Sequence, residues 1–221
     1  MEVIDALIDA GEIFENDSTD EFSRYKSWEF CYKKFQDNVY DTDDLAVHLS
    51  LYLASWGMYR GSTFLLNKNY KINCGIVEII KRFQKEYDKY ISISSKKQLE
   101  EIIENDSFFT AIEKLGKEIE EYYYKEIHDK NVTDTLKTKI IMGTLGITPA
   151  YDTYFKDALN DLDAHIIKTF NAKSIKECYK YYNKYYDKFE KLRKNSFKLY
   201  PIMKIFDMCL WQHQKNKKGK E

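Results

Sequence analysis

The chain has 221 residues, of which 43% are hydrophobic, and its formal net charge is −1. This length and hydrophobic content are enough for one sizeable core, so we expect a single domain. The net charge hides an asymmetry, because residues 130–221 hold 19 Lys and Arg against 10 Asp and Glu, whereas residues 1–129 hold 16 against 26. A basic half of this kind fits a phosphate-facing surface, although a solvated lysine face produces the same pattern.

Cysteine usage and the apolar runs exclude several classes of protein. The four cysteines stand singly without a CxxC pair, which argues against a zinc site and against a disulfide framework, and we therefore expect a cytoplasmic protein. The N-terminal run MEVIDALIDAGEIFEND is acidic and does not resemble a signal peptide. The most apolar run, residues 45–66, contains His48 and Arg60, so we predict no membrane span.

Helical spacing of apolar residues continues through most of the chain, and the eight glycines and two prolines are few for this length. Capping residues in DTDDLAVHL, ISISSKKQLEEI and NVTDTLKTK indicate helix starts. The predicted helices span residues 2–14, 20–37, 43–60, 74–90, 96–104, 107–127, 134–146, 152–170, 174–194 and 197–213. The predicted fold is an all-α, compact bundle of about ten helices, with a single domain over 1–213 and a basic disordered tail at 214–221.

The first candidate ligand site is SWGMYRGS, residues 55–62, at the end of the most apolar predicted helix. Small residues alternate there with large ones, which allows another backbone or a ligand to approach closely. Arg60 is one of only four arginines against 31 lysines, and its planar guanidinium can bind phosphate or carboxylate or stack on a ring. The alternative is a helix end in which Arg60 pairs with a buried acid and Trp56 packs in the core.

The second candidate is the corner GITPAYDTYFKDAL, residues 146–159. Pro149 keeps the chain extended before helical spacing resumes, so Asp152 stands on a rigid corner between Tyr151 and Tyr154. A carboxylate in this position either caps the helix or faces a pocket and takes part in catalysis.

The run TKIIMGTLGITPAYDTYFKDAL resembles the segment of helix-hairpin-helix DNA glycosylases in which an apolar helix leads to a Pro/Val-Asp-Thr corner. The resemblance covers about a tenth of the chain. It implies that Asp152 is the catalytic carboxylate and that the helical bundle is glycosylase-like. Together, LASWGMYRGS and TPAYDTYF also look like a small bacterial glycosylase family that removes glucosylated hydroxymethylcytosine from phage DNA.

Glycosylase chemistry explains why these residue types are needed. Cleavage of an N-glycosidic bond builds positive charge on the sugar, which a fixed carboxylate stabilises while it orients the attacking water. The base must leave the duplex stack, and aromatic faces then hold it. The resemblance therefore implies the substrate-binding residues Trp56, Tyr59, Arg60, Tyr151 and Tyr154.

The sequence departs from the family at the hairpin, where NVTDTLKTK has no glycine. We predict that Thr135, Lys137, Thr138 and Lys139 contact DNA phosphate from a helix N-terminus instead. Bifunctional members also use a nucleophilic lysine in the hairpin, and Lys137 is only the nearest candidate. We therefore predict a monofunctional enzyme without lyase activity.

The leading prediction is a DNA glycosylase acting on double-stranded phage DNA with modified bases, with no cofactor, no membrane association and no obligate protein partner. DLDAH places Asp161 and His165 one helical turn apart, but two ligands at one spacing are a weak metal signal, and we predict no metal site. Two other classes stay open. One is a non-enzymatic helical interaction module, antitoxin-like or immunity-like, in which Asp152 is only a cap, and the other is a nucleic-acid binder without catalysis.

Overall fold

The computed structural model describes residues 2–17, 19–37, 39–61, 63–128 and 132–219, and every regular element within them is helical. The all-α fold class is therefore confirmed. No helix in these ranges is long and apolar enough to cross a bilayer. The α-helices are α1 (Val3–Asp17), α2 (Lys26–Gln36), α3 (Thr42–Ser55), α4 (Cys74–Ile91), α5 (Lys96–Ile103), α6 (Asp106–Ile127), α7 (Asp134–Thr144), α8 (Thr153–Ala158), α9 (Ala172–Lys184), α10 (Tyr186–Ser196) and α11 (Ile202–Lys218).

Two central helices, α7 and α11, carry the core of the bundle. Every side chain of α7 from Leu136 to Thr144 is buried, and α11 is buried from Ile202 to Gln212. The first packs against α2, α3 and α6, and the second packs against α1, α8, α9 and α10. Because these two stretches are enclosed by their neighbours, they place four charged residues in the interior: Lys137, Lys139, Lys204 and Asp207.

Two predicted helices end earlier than expected. The helix predicted over 43–60 stops at Ser55, because Gly57 has φ +76° and cannot continue a right-handed helix. The helix predicted over 152–170 is only α8 and a 3-10 turn, Leu159–Asp161. The buried residues Leu162, Ile166 and Phe170 have helical spacing, but they reach the core from an irregular segment. Apolar spacing alone gave the wrong prediction there.

The last third of the chain differs in two further places. The helix predicted over 174–194 is broken at Tyr185 (φ −114°, ψ 29°), whose hydroxyl donates a hydrogen bond to Asp163. The last helix begins after Pro201 and continues to Lys218, so residues 214–218 are helical where we predicted a disordered tail. Gly219 is the C-cap of that helix, and residues 220 and 221 of the predicted tail lie outside the described residues.

The C-terminal end of α7 is closed by side chains of α2. The last carbonyls of a helix have no partner within it. Trp28 Nε1 donates to the carbonyl of Met142, and Gln36 Nε2 donates to that of Thr144, both at 3.0 Å. The chain then turns at Gly146, which has φ +67°, and enters the loop that leads to α8.

Replacing Gly146 by alanine should lower the free energy of unfolding by about 2 kcal/mol or more. The positive φ disfavours a side chain, and a Cβ atom would lie 2.3 Å from Cγ of Pro201. Urea denaturation measures the loss. Gly61→Ala is the matched control, because Gly61 has φ +63° but no atom near its Cβ position, and we expect it to lose only about 1 kcal/mol. Equal losses would show that contact with Pro201 contributes nothing.

Candidate active site

Asp152 is the N-cap residue of α8. Its Oδ1 accepts a hydrogen bond from the amide of Phe155 at 3.0 Å, and its Oδ2 accepts one from the ammonium of Lys139, also at 3.0 Å. The side chain of Asp152 is 14% exposed and that of Lys139 is 4% exposed. The residue is therefore a helix cap and also one half of an ion pair that solvent still reaches.

The loop between α7 and α8 is held by side chains from three helices. Each bond joins a side chain of α7, α9 or α11 to a backbone group of the loop. Thr138 accepts from the amide of Tyr151, Thr135 donates to the carbonyl of Tyr151, Asp207 accepts from the amide of Ala150, and Tyr179 donates to the carbonyl of Ile147, at 2.8–2.9 Å. The position of Asp152 is thus fixed before any ligand arrives, which is what electrostatic catalysis needs.

A second ion pair lies beneath the first. Lys204 and Asp207 on α11 are both buried, and Lys204 Nζ is 3.7 Å from Asp207 Oδ2. Burial lowers the pKa of Lys204 and raises the pKa of Asp207; the negative charge of Asp152 also raises the latter. This buried ion pair was not predicted. A Lys and an Asp three residues apart within the apolar run IMKIFDMCL are the sequence feature that indicates it.

Four rings, which we call the aromatic cluster, lie next to the ion pairs: Tyr25, Trp56, Tyr154 and Trp211. The ring centroid of Trp211 is 5.6 Å from that of Trp56 and 5.3 Å from that of Tyr154. Lys139 Nζ lies 5.0 Å from the centroid of Trp56, and Lys204 Nζ lies 5.8 Å from it. The cluster therefore adjoins the ammonium group that binds Asp152.

Two buried hydrogen-bond donors at this site have no acceptor among the described residues. They are the hydroxyl of Tyr52 and the Nε1 of Trp56. Burial raises the pKa of Tyr52 well above its ordinary value, and the carboxylates of Asp207 and Asp152 act in the same direction. Most buried donors in folded proteins are satisfied, so these two are notable. Tyr52 is fully buried, whereas the ring of Trp56 is partly exposed.

The structure brings some of the predicted substrate-binding residues to Asp152 and not others. Trp56 and Tyr154 belong to the aromatic cluster and are partly buried. The prediction for Tyr151 is wrong, because its side chain is fully buried and its hydroxyl is 2.8 Å from Ser174 Oγ. The chain direction at the corner turns that ring inward while Asp152 faces the other way.

The two remaining predicted residues lie in the turn after α3. The hydroxyl of Tyr59 accepts a hydrogen bond from Asn73 at 3.1 Å, and no contact joins it to Asp152. Arg60 is exposed, and its side chain covers Gly57. A contact between Arg60 and the ligand stays a prediction.

Three of the four predicted DNA-binding residues of α7 are buried, so the prediction is wrong for Lys137, Thr138 and Lys139 in the conformation described, whereas Thr135 is partly exposed. Lys137 pairs with Glu120 at 2.8 Å and with Asp134 at 3.1 Å, and Lys139 pairs with Asp152. The hydroxyls of Thr135 and Thr138 bind backbone groups. The physical reason is that α7 is a central helix, enclosed by its neighbours.

Asp161 and His165, which the sequence places one helical turn apart, do not pair with each other. Asp161 binds His213 at 2.9 Å and Lys217 at 2.8 Å, rather than His165. In the part of the chain that the structure describes, no three His, Cys, Asp or Glu side chains come together as metal ligands would.

Comparison of this chain with protein-family models, curated proteins and solved structures gives no significant match. The resemblance of the Asp152 segment to helix-hairpin-helix glycosylases therefore stays a prediction. The evidence for the function is therefore the geometry and the charges of the site.

Proposed function

We propose that this protein is a monofunctional DNA glycosylase that hydrolyses the N-glycosidic bond of a modified base, with Asp152 as its catalytic carboxylate. The observation that carries the proposal is the fixed, partly exposed Asp152, whose partner Lys139 lies 5.0 Å from the ring centroid of Trp56. The proposed substrate is double-stranded phage DNA in the cytoplasm, and glucosylated hydroxymethylcytosine is the modified base that the sequence resemblance implies. The proposed chemistry uses no cofactor.

In the proposed reaction, the bond between C1′ of the sugar and the base nitrogen breaks, and its electron pair leaves with the base. The sugar becomes positively charged, and Asp152 stabilises this charge from close range. Water then adds hydroxide to C1′, and its proton goes to the departing base. The Lys139 ammonium and the N-terminus of α8 both stabilise the negative charge on Asp152 before the sugar arrives.

The aromatic cluster suits an extruded base. Base–aromatic stacking contributes about 1–3 kcal/mol per base, and Trp56 and Tyr154 are partly exposed rings near Asp152. The unpartnered Nε1 of the partly exposed Trp56 is the donor that we assign to a polar group of the same ligand. A stacking surface, a polar donor and a carboxylate are the three elements that base excision requires.

The test is incubation of the protein with duplexes carrying cytosine, hydroxymethylcytosine or glucosylated hydroxymethylcytosine. We expect mass spectrometry to detect a free modified base, and strand breaks to appear only after alkali converts the abasic sites. Breaks without alkali would overturn the monofunctional assignment. The absence of released base from all three duplexes would overturn the proposed function.

Two observations favour the non-enzymatic alternative. A mostly apolar groove of about 1020 Å³ lies between α2 and residues 195–200, with the exposed Leu199 at its edge. Both oxygens of Asp152 are hydrogen bonded, as a purely structural cap would require. A helical module of this kind would use the groove to bind a partner protein and would release no base.

A further inference from the structure

Two of the four arginines have no carboxylate partner among the described residues, and the side chains of both lie against the turn that follows α3. Arg82 pairs with Glu118, and Arg193 pairs with Glu190. Among the described residues, no acidic side chain pairs with Arg24 or Arg60. The side chain of Arg60 lies against Gly57, and the guanidinium of Arg24 lies 4.9 Å from the ring centroid of the adjacent Trp56.

Arg24 covers the aromatic cluster. Its Cζ atom is also 5.7 Å from the ring centroid of Tyr25 and 5.5 Å from that of Trp211. The residue is exposed, so its guanidinium can leave the rings without disturbing the core. An exposed guanidinium gains only about 0.5–1 kcal/mol from a cation–π contact, so a stronger interaction can draw it away from the ring.

A nucleotide has one group that can stack on Trp56 and another that can bind Arg24, in place of the contact between these two residues. Its base is a flat ring that can stack on Trp56 in place of the guanidinium, and its phosphate is the anion that arginine binds with two parallel hydrogen bonds. The lysines near the cluster are less available, because Lys215 already pairs with Asp17 at 3.1 Å. Lys137 and Lys139, the two cationic residues predicted on α7, are also buried and paired. A cation that binds phosphate is therefore expected elsewhere on the surface.

We propose that Arg24 is a substrate-binding residue that covers Trp56 in the free protein and moves to a DNA phosphate beside the extruded nucleotide. This inference rests on the proposed glycosylase function. The proposal assigns a role to a residue just before α2, in the acidic half of the chain. The charge distribution does not indicate DNA contact in that half.

The experiment measures binding separately from excision. In the Asp152→Asn background, the dissociation constant for a duplex with glucosylated hydroxymethylcytosine is measured over a range of KCl concentrations. One phosphate contact contributes about 1 to the slope of log affinity against log salt. We expect Arg24→Ala to reduce that slope by about 1 and to weaken binding about tenfold at 0.1 M salt. Arg24→Lys should keep most of the slope, because it retains the charge.

Arg82→Ala is the control, since Arg82 is an exposed arginine on α4 that already pairs with Glu118, and it should leave the slope unchanged. An unchanged slope in Arg24→Ala would overturn the role of Arg24, and so would equal effects of Arg24→Ala and Arg82→Ala. Base excision is measured separately, with the protein that retains Asp152. If the proposed function is wrong, this protein releases no base, whatever the slope of log affinity against log salt.

Discussion

Replacing Asp152 by asparagine should reduce base excision by about 10²-fold or more while the protein stays folded. The amide has no negative charge with which to stabilise the sugar as the base departs. Asparagine caps helices as well as aspartate does, and its oxygen can still accept a hydrogen bond. Single-turnover release of free base from modified duplexes measures the effect, and circular dichroism with thermal unfolding measures the fold.

Asp106→Asn is the matched control for this variant. Asp106 also lies at the start of a helix and binds a lysine, Lys176, at 2.8 Å, but it is exposed and on a different helix. It should excise bases at the parent rate. If Asp152→Asn proves unfolded because Lys139 loses its charged partner, the double variant Asp152→Asn with Lys139→Met removes both charges together and tests the same point. Parental excision by either Asp152 variant would end the proposed mechanism.

The buried pair of Lys204 and Asp207 should give the largest loss of stability. Lys204→Met leaves a carboxylate in the interior without its ammonium partner, and we expect a loss of about 3–5 kcal/mol in the free energy of unfolding. Asp207→Asn leaves the ammonium without a carboxylate, and it should cost a similar amount. The double variant contains neither charge, and the asparagine can still accept the hydrogen bond from Ala150. It should be more stable than either single variant.

Urea denaturation of the four proteins completes the double-mutant cycle. The exposed pair of Arg82 and Glu118 provides the comparison, because exposed ion pairs contribute about 0–1 kcal/mol. Strictly additive losses at Lys204 and Asp207 would show that the two charges do not stabilise each other. Losses no larger than those of the surface pair would show that the site is not desolvated.

Local sequence signals predicted most helix starts. Asp41, Ser95 and Thr133 each accept a hydrogen bond from a backbone amide in the first turn, as capping residues do. These signals work because the interacting groups are a few residues apart. The segment after α8 was predicted wrongly, since its apolar residues have helical spacing but its path is set by contacts with distant helices.

The candidate site was predictable only in part. Pro149 and the residues around it indicated that Asp152 is held on a rigid corner, and the structure places it at the start of α8. The pairing of Asp207 with Ala150 spans 57 residues, and no short-range pattern reveals it. The burial of α7 was equally hidden, because Lys137 and Lys139 are polar residues on a helix that tertiary packing encloses.

The loop that carries Asp152 depends on a hydrogen bond donated by Tyr179 and on one accepted by Asp207, and both residues are synthesised well after it. A ribosome-bound chain from which α11 has not yet emerged therefore lacks the acceptor for the amide of Ala150 and both members of the Lys204–Asp207 ion pair. The arrangement around Asp152 should form only late in biosynthesis. Any activity that depends on this arrangement would then be absent from a nascent chain until α11 has joined the bundle.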